Sequence, residues 1–207
     1  MRMISSIVLA AGESRRMGQT KQLLAWEGKT ILRQVLENLL HSRLDEVILV
    51  LGHEAERILK MVDTRKIKVV INKNYRKGMI TSIQEGLTAL HEQTEAFFIV
   101  LADQPGIGPE VFDLLIGEFK RATPQKNIVL PTYRGRRGHP ALFSVKYREE
   151  ALRLKGDVGF RQILQEHPED ILAVEMDSDS VLQDIDTPDD YRKQLGAKPP
   201  GETHDLD

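Results

Sequence analysis

The sequence predicts an α/β fold in which a mostly parallel β-sheet carries helices on both faces. Three observations lead there. Short apolar runs alternate with amphipathic stretches over the first 130 residues, and a β-α-β-α rhythm is that of parallel strands joined by crossover helices. Runs such as EVILVL at 46–51 and AFFIVL at 96–101 are apolar without alternation, as in strands buried on both faces. The chain has 207 residues, 41% of them hydrophobic and 29% charged. That is ordinary globular composition, long enough to bury a core without staples.

The elements follow in order. Residues 4–11 (ISSIVLAA) form the first expected strand. In residues 30–41, Ile31, Val35, Leu36, Leu39 and Leu40 recur at helical spacing, with Thr30 placed as N-cap. Strands are expected at 46–51, 68–71, 96–101 and 127–130, and helices at 54–62, 80–90 and 109–121, the last with Pro109 in its first turn. After Pro131 the rhythm breaks. Gly135, Gly138 and Pro140 punctuate a loop before a short strand at 141–144. Short helices at 146–154 and 160–165, strands at 171–175 and 181–184, and a helix from Pro188 complete the expectation. Residues 1–195 read as one domain, and residues 197–207 (AKPPGETHDLD) as a flexible tail.

Composition excludes several classes of function. With no cysteine, disulfides, thiolate metal sites and thiol nucleophiles are ruled out. A net charge of −2 lacks the basic excess of a general nucleic-acid binder. The apolar run near the start, Ile7 to Ala11, is too short for a signal peptide, and no stretch approaches the roughly 20 apolar residues that span a bilayer. The expectation is a cytoplasmic protein acting on neither membrane nor nucleic acid. Charge is also uneven. Residues 166–190 hold ten acidic residues and no Lys or Arg, whereas residues 1–33 hold six basic and two acidic ones. Two differently solvated faces, or a cationic phosphate site facing acidic metal ligands, would each give that pattern.

Five segments carry candidate chemistry. The first strand runs into Leu9-Ala10-Ala11-Gly12-Glu13-Ser14-Arg15-Arg16-Met17-Gly18-Gln19-Thr20-Lys21. A glycine-containing loop beyond a strand's carboxyl end can bring backbone N–H groups close to phosphates. Arg16 and Lys21 would balance polyphosphate charge. A dinucleotide G-x-G-x-x-G is absent, and Lys21, nine residues after Gly12 and followed by Gln22, does not fit a Walker A loop. A turn with solvated charges fits the residue types equally well. Asp103, in L-A-D-Q-P just past AFFIVL, is placed to hold Mg²⁺ or to cap the next helix. In Asp184-Ile185-Asp186-Thr187-Pro188-Asp189-Asp190, helix capping explains everything from Thr187 onward but leaves Asp186 unexplained. Finally, residues 72–82 (NKNYRKGMITS) could open a helix with free amides, and RGRRGHP at 134–140 is a basic, glycine-broken loop.

Together these segments resemble the MobA-like nucleotidyltransferases, and within them the molybdenum cofactor cytidylyltransferase branch. L-A-A-G-x-S-x-R-M-G-x-x-K with its continuation Gln22-Leu23-Leu24, L-A-D-Q-P, N-x-x-Y-x-x-G-M-x-x-S, R-x-G-H-P-A-L-F, G-D-x-G-x-R at 156–161 and D-I-D-T-P-D-D occur in the family's order over residues 4–193. The resemblance implies a Rossmann-like three-layer sandwich of the nucleotide-diphospho-sugar transferase type. It implies that Leu9, Ala10, Ala11, Gly12, Lys21, Asn72 and Ser82 bind the nucleotide. Lys21, Arg16 and Asp103 would be catalytic, Asp103 and Asp186 would hold Mg²⁺, and Arg137, His139 and Arg161, among acceptor-side elements at about 131–165, would bind the acceptor. The implied reaction moves CMP from CTP to the terminal phosphate of molybdopterin and releases pyrophosphate. L-A-A-G rather than L-A-G-G favours cytidylyl over guanylyl transfer. Guanylyl transfer from GTP, another phosphorylated acceptor, and a non-catalytic cofactor carrier for a molybdenum hydroxylase are the alternatives.

Overall fold

The computed structural model describes residues 2–156 and 159–196. The expectations for residues 157 and 158 and for the tail at 197–207 lie outside the described residues. In chain order the elements are β1 (Met3–Ala10), β2 (Ala25–Trp26), β3 (Lys29–Thr30), α1 (Ile31–Leu40), β4 (Glu46–Leu51), α2 (Ala55–Leu59), β5 (Lys68–Ile71), α3 (Met79–Ala89), β6 (Thr94–Leu101), α4 (Pro109–Ala122), β7 (Ile128–Tyr133), β8 (Arg136–Arg137), β9 (Ala141–Ser144), α5 (Arg148–Arg153), α6 (Arg161–Glu166), β10 (Ile171–Glu175) and α7 (Pro188–Gly196).

The main sheet has the order β10-β7-β9-β6-β1-β4-β5, with β8 paired to β7. β1 is parallel to both β4 and β6, β4 to β5, and β7 to β10. β9 runs antiparallel between β6 and β7, so the sheet is mixed but mostly parallel. Alternate side chains of the central strands face opposite layers. Val8, Leu49 and Phe98 pack with Leu32, Val35 and Leu36 of α1 and Phe112 and Leu115 of α4. Ile7, Ile48 and Phe97 pack with Ile80 and Ile83 of α3, Ala151 of α5 and Ile163 of α6. The result is the three-layer α/β sandwich the sequence predicted.

Two local features depart from the sequence expectations, and one cap follows them. Residues 181–184 are not a strand: a 3-10 turn spans Asp179–Leu182, with the Ser178 hydroxyl accepting from the Ser180 N–H. A hairpin joins β2 to β3 through Glu27 and Gly28, both with positive φ (48° and 76°), the conformation of a tight two-residue turn. Its last residue, Thr30, is the N-cap of α1 as expected, its hydroxyl accepting from the Arg33 N–H at 3.3 Å. Before α7, Thr187 and Asp190 cap each other reciprocally. The Asp190 carboxylate accepts from the Thr187 N–H at 2.8 Å, and the Thr187 hydroxyl accepts from the Asp190 N–H at 3.2 Å.

A third, smaller cluster joins Met17, Trp26, Ile31 and Ile185. It pins the loop after β1 and the segment before α7 to the same hairpin.

Candidate active site

Register places the site. Ala10 pairs with Leu51, Leu9 with Leu101, and Leu51 with Ile71, so the carboxyl ends of β1, β4, β5 and β6 share one edge. β1 lies between β4 and β6, where the direction of chain progression reverses, and such points open a crevice for ligands. A cleft of about 210 Å³ lies there, walled by Ala11, Gly12, Lys21, Tyr75, Ser82 and Asp103 among others.

Lys21 bridges the loop to both acidic segments. Its Nζ donates to the Asp103 carboxylate and, at 3.0 Å, to Asp186 Oδ1. Arg16 Nη2 donates to the other oxygen of Asp186 at 2.6 Å. The side chains of Lys21 and Asp103 are only 16% and 13% exposed. Burial opposes the charge on Lys21, but Asp103 and then Asp186 outweigh it and hold its pKa above the ordinary value. The Asp103 carbonyl accepts from the Ile185 N–H at 3.0 Å, so backbone as well as side chains brings the end of β6 to the Asp184–Asp186 segment. Asp184 shares this field. Burial, then the Asp186 and Asp103 carboxylates, push its carboxyl above the usual range.

The loop is built from side-chain and turn contacts. The Ser14 carbonyl accepts from the Met17 and Gly18 N–H groups at 2.9 and 3.2 Å. Ser14 (φ 52°) and Gly18 (φ 72°) sit in the left-handed region. Gly12 is different: its φ is not positive, and no heavy atom lies within 4 Å of where a Cβ would stand. Neither backbone strain nor crowding by the protein requires a glycine there, and the open space is the cleft.

The remaining sequence candidates divide. Leu9 and Ala11 wall the cleft, whereas Ala10 is buried in the core. Ser82 walls the cleft and accepts from Asn72 Nδ2 at 2.9 Å. Asn72 is wholly buried; its Nδ2 also donates to Thr81, and its Oδ1 accepts from the Asn74 N–H at 2.8 Å. Its amide is satisfied inside the protein, bracing the end of β5 against the start of α3. On the other side, His139 N–H donates to the Val181 carbonyl at 2.9 Å, and its Nδ1 is buried without a hydrogen-bond partner. Burial lowers the imidazole pKa, the Asp103 carboxylate works the other way, and Arg161 lowers it again. His139 thus stands in the field of both Asp103 and Arg161. Arg137 is exposed on β8, and Arg161 begins α6.

Sequence reasoning passed over Tyr75, Met79 and Gln22 as cleft residues. Tyr75 sits against Gly52, where a Cβ would come within 2.8 Å of it, a contact between distant segments that no local pattern reveals.

A family model described as the MobA-like NTP transferase domain matches residues 6–171. The chain belongs to the MobA-like nucleotidyltransferases. The molybdenum cofactor cytidylyltransferase of Escherichia coli K12 is 32% identical over 92% of this chain and 95% of its own length. The nicotine blue oxidoreductase of Paenarthrobacter nicotinovorans is 28% identical, over 89% of this chain and 92% of its own. Among solved structures, Rv0371c of Mycobacterium tuberculosis H37Rv in complex with manganese superposes with a TM-score of 0.78 at 28% identity, covering 95% of this chain and 100% of that one. A MobA-like chain therefore has relatives named for nucleotidyl transfer and one named for oxidoreduction, and the site must decide between these chemistries.

Proposed function

We propose that this MobA-like protein transfers CMP from CTP to the terminal phosphate of a molybdopterin-type acceptor and releases pyrophosphate, for supply to a molybdenum hydroxylase. Residues 1–195 form the catalytic domain in this reading, with residues 131–165 on the acceptor side. The observation that carries it is Lys21, held between Asp103 and Asp186 at the switch-point edge of the sheet. A lysine, an open glycine loop and two carboxylates suit a triphosphate with a divalent cation. Hydride transfer has no use for that set, and the loop has no dinucleotide fingerprint.

Gly12 leaves room for close approach of the triphosphate. Lys21 and Arg16 offset its charge, and Ser82, braced by Asn72, lines the nucleotide end of the cleft. The donor set fits Mg²⁺. Asp103 and Asp186 offer the oxygen ligands that hard cations take, and Asp103 Oδ1 is buried with no hydrogen-bond partner. Mg²⁺ bound there would supply neutralisation of charge on the phosphates. The acceptor's phosphate oxygen attacks the α-phosphorus of CTP. The bond from that phosphorus to the bridging oxygen breaks, and pyrophosphate departs with the electron pair. A phosphate monoester, whose second pKa is about 6, is already a dianion near neutral pH, so no strong base is required. Positioning and charge compensation by Lys21 and Arg16 carry the step. Arg137, His139 and Arg161 face the acceptor.

The test is pyrophosphate release from CTP and from GTP with molybdopterin, comparing the wild type with Asp103→Asn. Release from CTP that falls at least a hundredfold in the variant, with the thermal midpoint held, supports the reading. Preference for GTP would reassign the nucleotide. Tight cofactor binding with no pyrophosphate formed would favour a carrier.

A further inference from the structure

Gln22 is a buried amide next to Lys21 to which the proposed chemistry assigns no role. It is 1% exposed and walls the cleft. Its Nε2 donates to the carbonyl of Ala10, the last residue of β1, at 3.3 Å. Its Oε1 accepts from the Ser14 hydroxyl at 3.3 Å, and the same hydroxyl oxygen accepts from the Lys21 N–H at 3.2 Å. One side chain thus ties together the start, the knuckle and the end of the loop that holds Gly12.

Between Ala10 and Lys21 the chain has no helix or strand, so no ladder of backbone hydrogen bonds fixes its shape. Ser14 also stands at φ 52°, a conformation that costs a non-glycine residue energy and persists only where its surroundings impose it. The turn bonds from the Met17 and Gly18 N–H groups hold the Ser14 carbonyl, and the Gln22–Ser14–Lys21 chain of hydrogen bonds holds its side chain. We infer that Gln22 is a positioning residue, which presets the spacing between the Gly12 backbone and the Lys21 ammonium so that the triphosphate meets a preformed cradle. This rests on the nucleotidyltransferase reading and deepens it by assigning the loop's shape to a residue that does not touch the phosphates' charge. Preorganisation of this kind reduces the ordering cost of binding.

A purely structural Gln22 would affect folding but not nucleotide affinity. The test is calorimetric binding of CTP with Mg²⁺ to the full chain and to Gln22→Met, Ser14→Ala and the double variant, with thermal midpoints measured in parallel. Gln22→Met preserves the side chain's length and removes both hydrogen bonds. Ser14→Ala breaks the strut at its half-buried end and keeps the protein testable if Gln22→Met folds poorly. We expect each single variant to weaken CTP at least tenfold, about 1.4 kcal/mol, and the double variant to be no weaker than the worse single one, because both cut the same strut. Affinity unchanged in folded Gln22→Met or Ser14→Ala, or losses that simply add, overturns the inference while leaving the transferase reading intact. A wild-type chain that binds no nucleoside triphosphate sinks both.

Discussion

Replacing Gly52 by alanine should loosen the cleft wall from behind. Gly52 follows β4, and the next residue's N–H donates to the Ala11 carbonyl at 3.1 Å. A Cβ at Gly52 would lie 2.8 Å from both Cβ and Cγ of Tyr75 and 2.9 Å from Cβ of Ala11. Carbon atoms pack at about 3.5–4.0 Å, so the methyl intrudes by roughly 0.6 Å or more on both residues. Ala11 is fixed by the end of β1, and the strain falls on Tyr75 in its short 3-10 turn. Overpacking of this kind costs about 1–3 kcal/mol. At about 2–4 °C per kcal/mol for a chain of this size, Gly52→Ala should lower Tm by roughly 2–12 °C. Tyr75 walls the cleft, so CTP affinity should fall as well. Thermal unfolding and calorimetric titration check the two halves separately. An unchanged Tm would refute the packing argument, and a lowered Tm with unchanged affinity would refute the link from Tyr75 to the nucleotide.

Two further outcomes follow from the ion-pair networks. Lys21→Met leaves the Asp103 and Asp186 carboxylates without their shared ammonium. It should cost about 1–3 kcal/mol at neutral pH and weaken CTP sharply. Mn²⁺ alone should then raise its Tm more than that of the wild type, since no ammonium competes for the carboxylates; equal shifts would count against the metal assignment. On the opposite side of the molecule, burial would raise the pKa of Asp170, but hydrogen bonds from Lys146, Tyr147 and Asn127 outweigh it and hold the carboxyl at about 2. The folded pKa lies below the unfolded one. The stabilisation is therefore complete above about pH 4 and lost as pH falls towards 2. Lys146→Met should move the acid-unfolding midpoint to higher pH, as read by circular dichroism, and no movement would contradict the hydrogen-bonded origin of the shift.

What the sequence made legible was whatever local chemistry determines. The strands buried on both faces announced themselves by unbroken apolar runs, and α1 by its spacing and its Thr30 cap. Asp103 and the loop were legible because strand ends in an α/β sheet point to one edge. The antiparallel insertion of β9 between β6 and β7 was not, since four residues carry no information about which distant strands they join. The expected strand at 181–184 failed for a related reason. Its apolar Val181 is buried, but its carbonyl is taken by the His139 N–H and the chain turns at Ser178–Ser180 instead of pairing in a ladder. The hairpin at 25–30 had a visible turn in Glu27-Gly28, yet two-residue strands are too short for alternation to show. Asn72 was picked out by the pattern of its segment, which says nothing of the three internal hydrogen bonds that its amide makes at the end of β5.

The convergence of charges at the site depends on apolar neighbours rather than on the charges themselves. Arg16 and Asp186 are 170 residues apart in the chain, and a half-exposed ion pair contributes at most about 1 kcal/mol, too little to bring such distant segments together. Met17 and Ile185, each one residue away, are both buried in the small cluster with Trp26 and Ile31. Fully burying one such side chain contributes about 1.5–3 kcal/mol. The hairpin carrying Trp26 therefore acts as the anvil on which a basic loop and an acidic segment are held face to face. Lys21 and Asp186 meet because the residues beside the loop and the acidic segment have nowhere else to be dry. The apolar cluster brings the segments together, and the charges it sets face to face are then placed to serve a ligand.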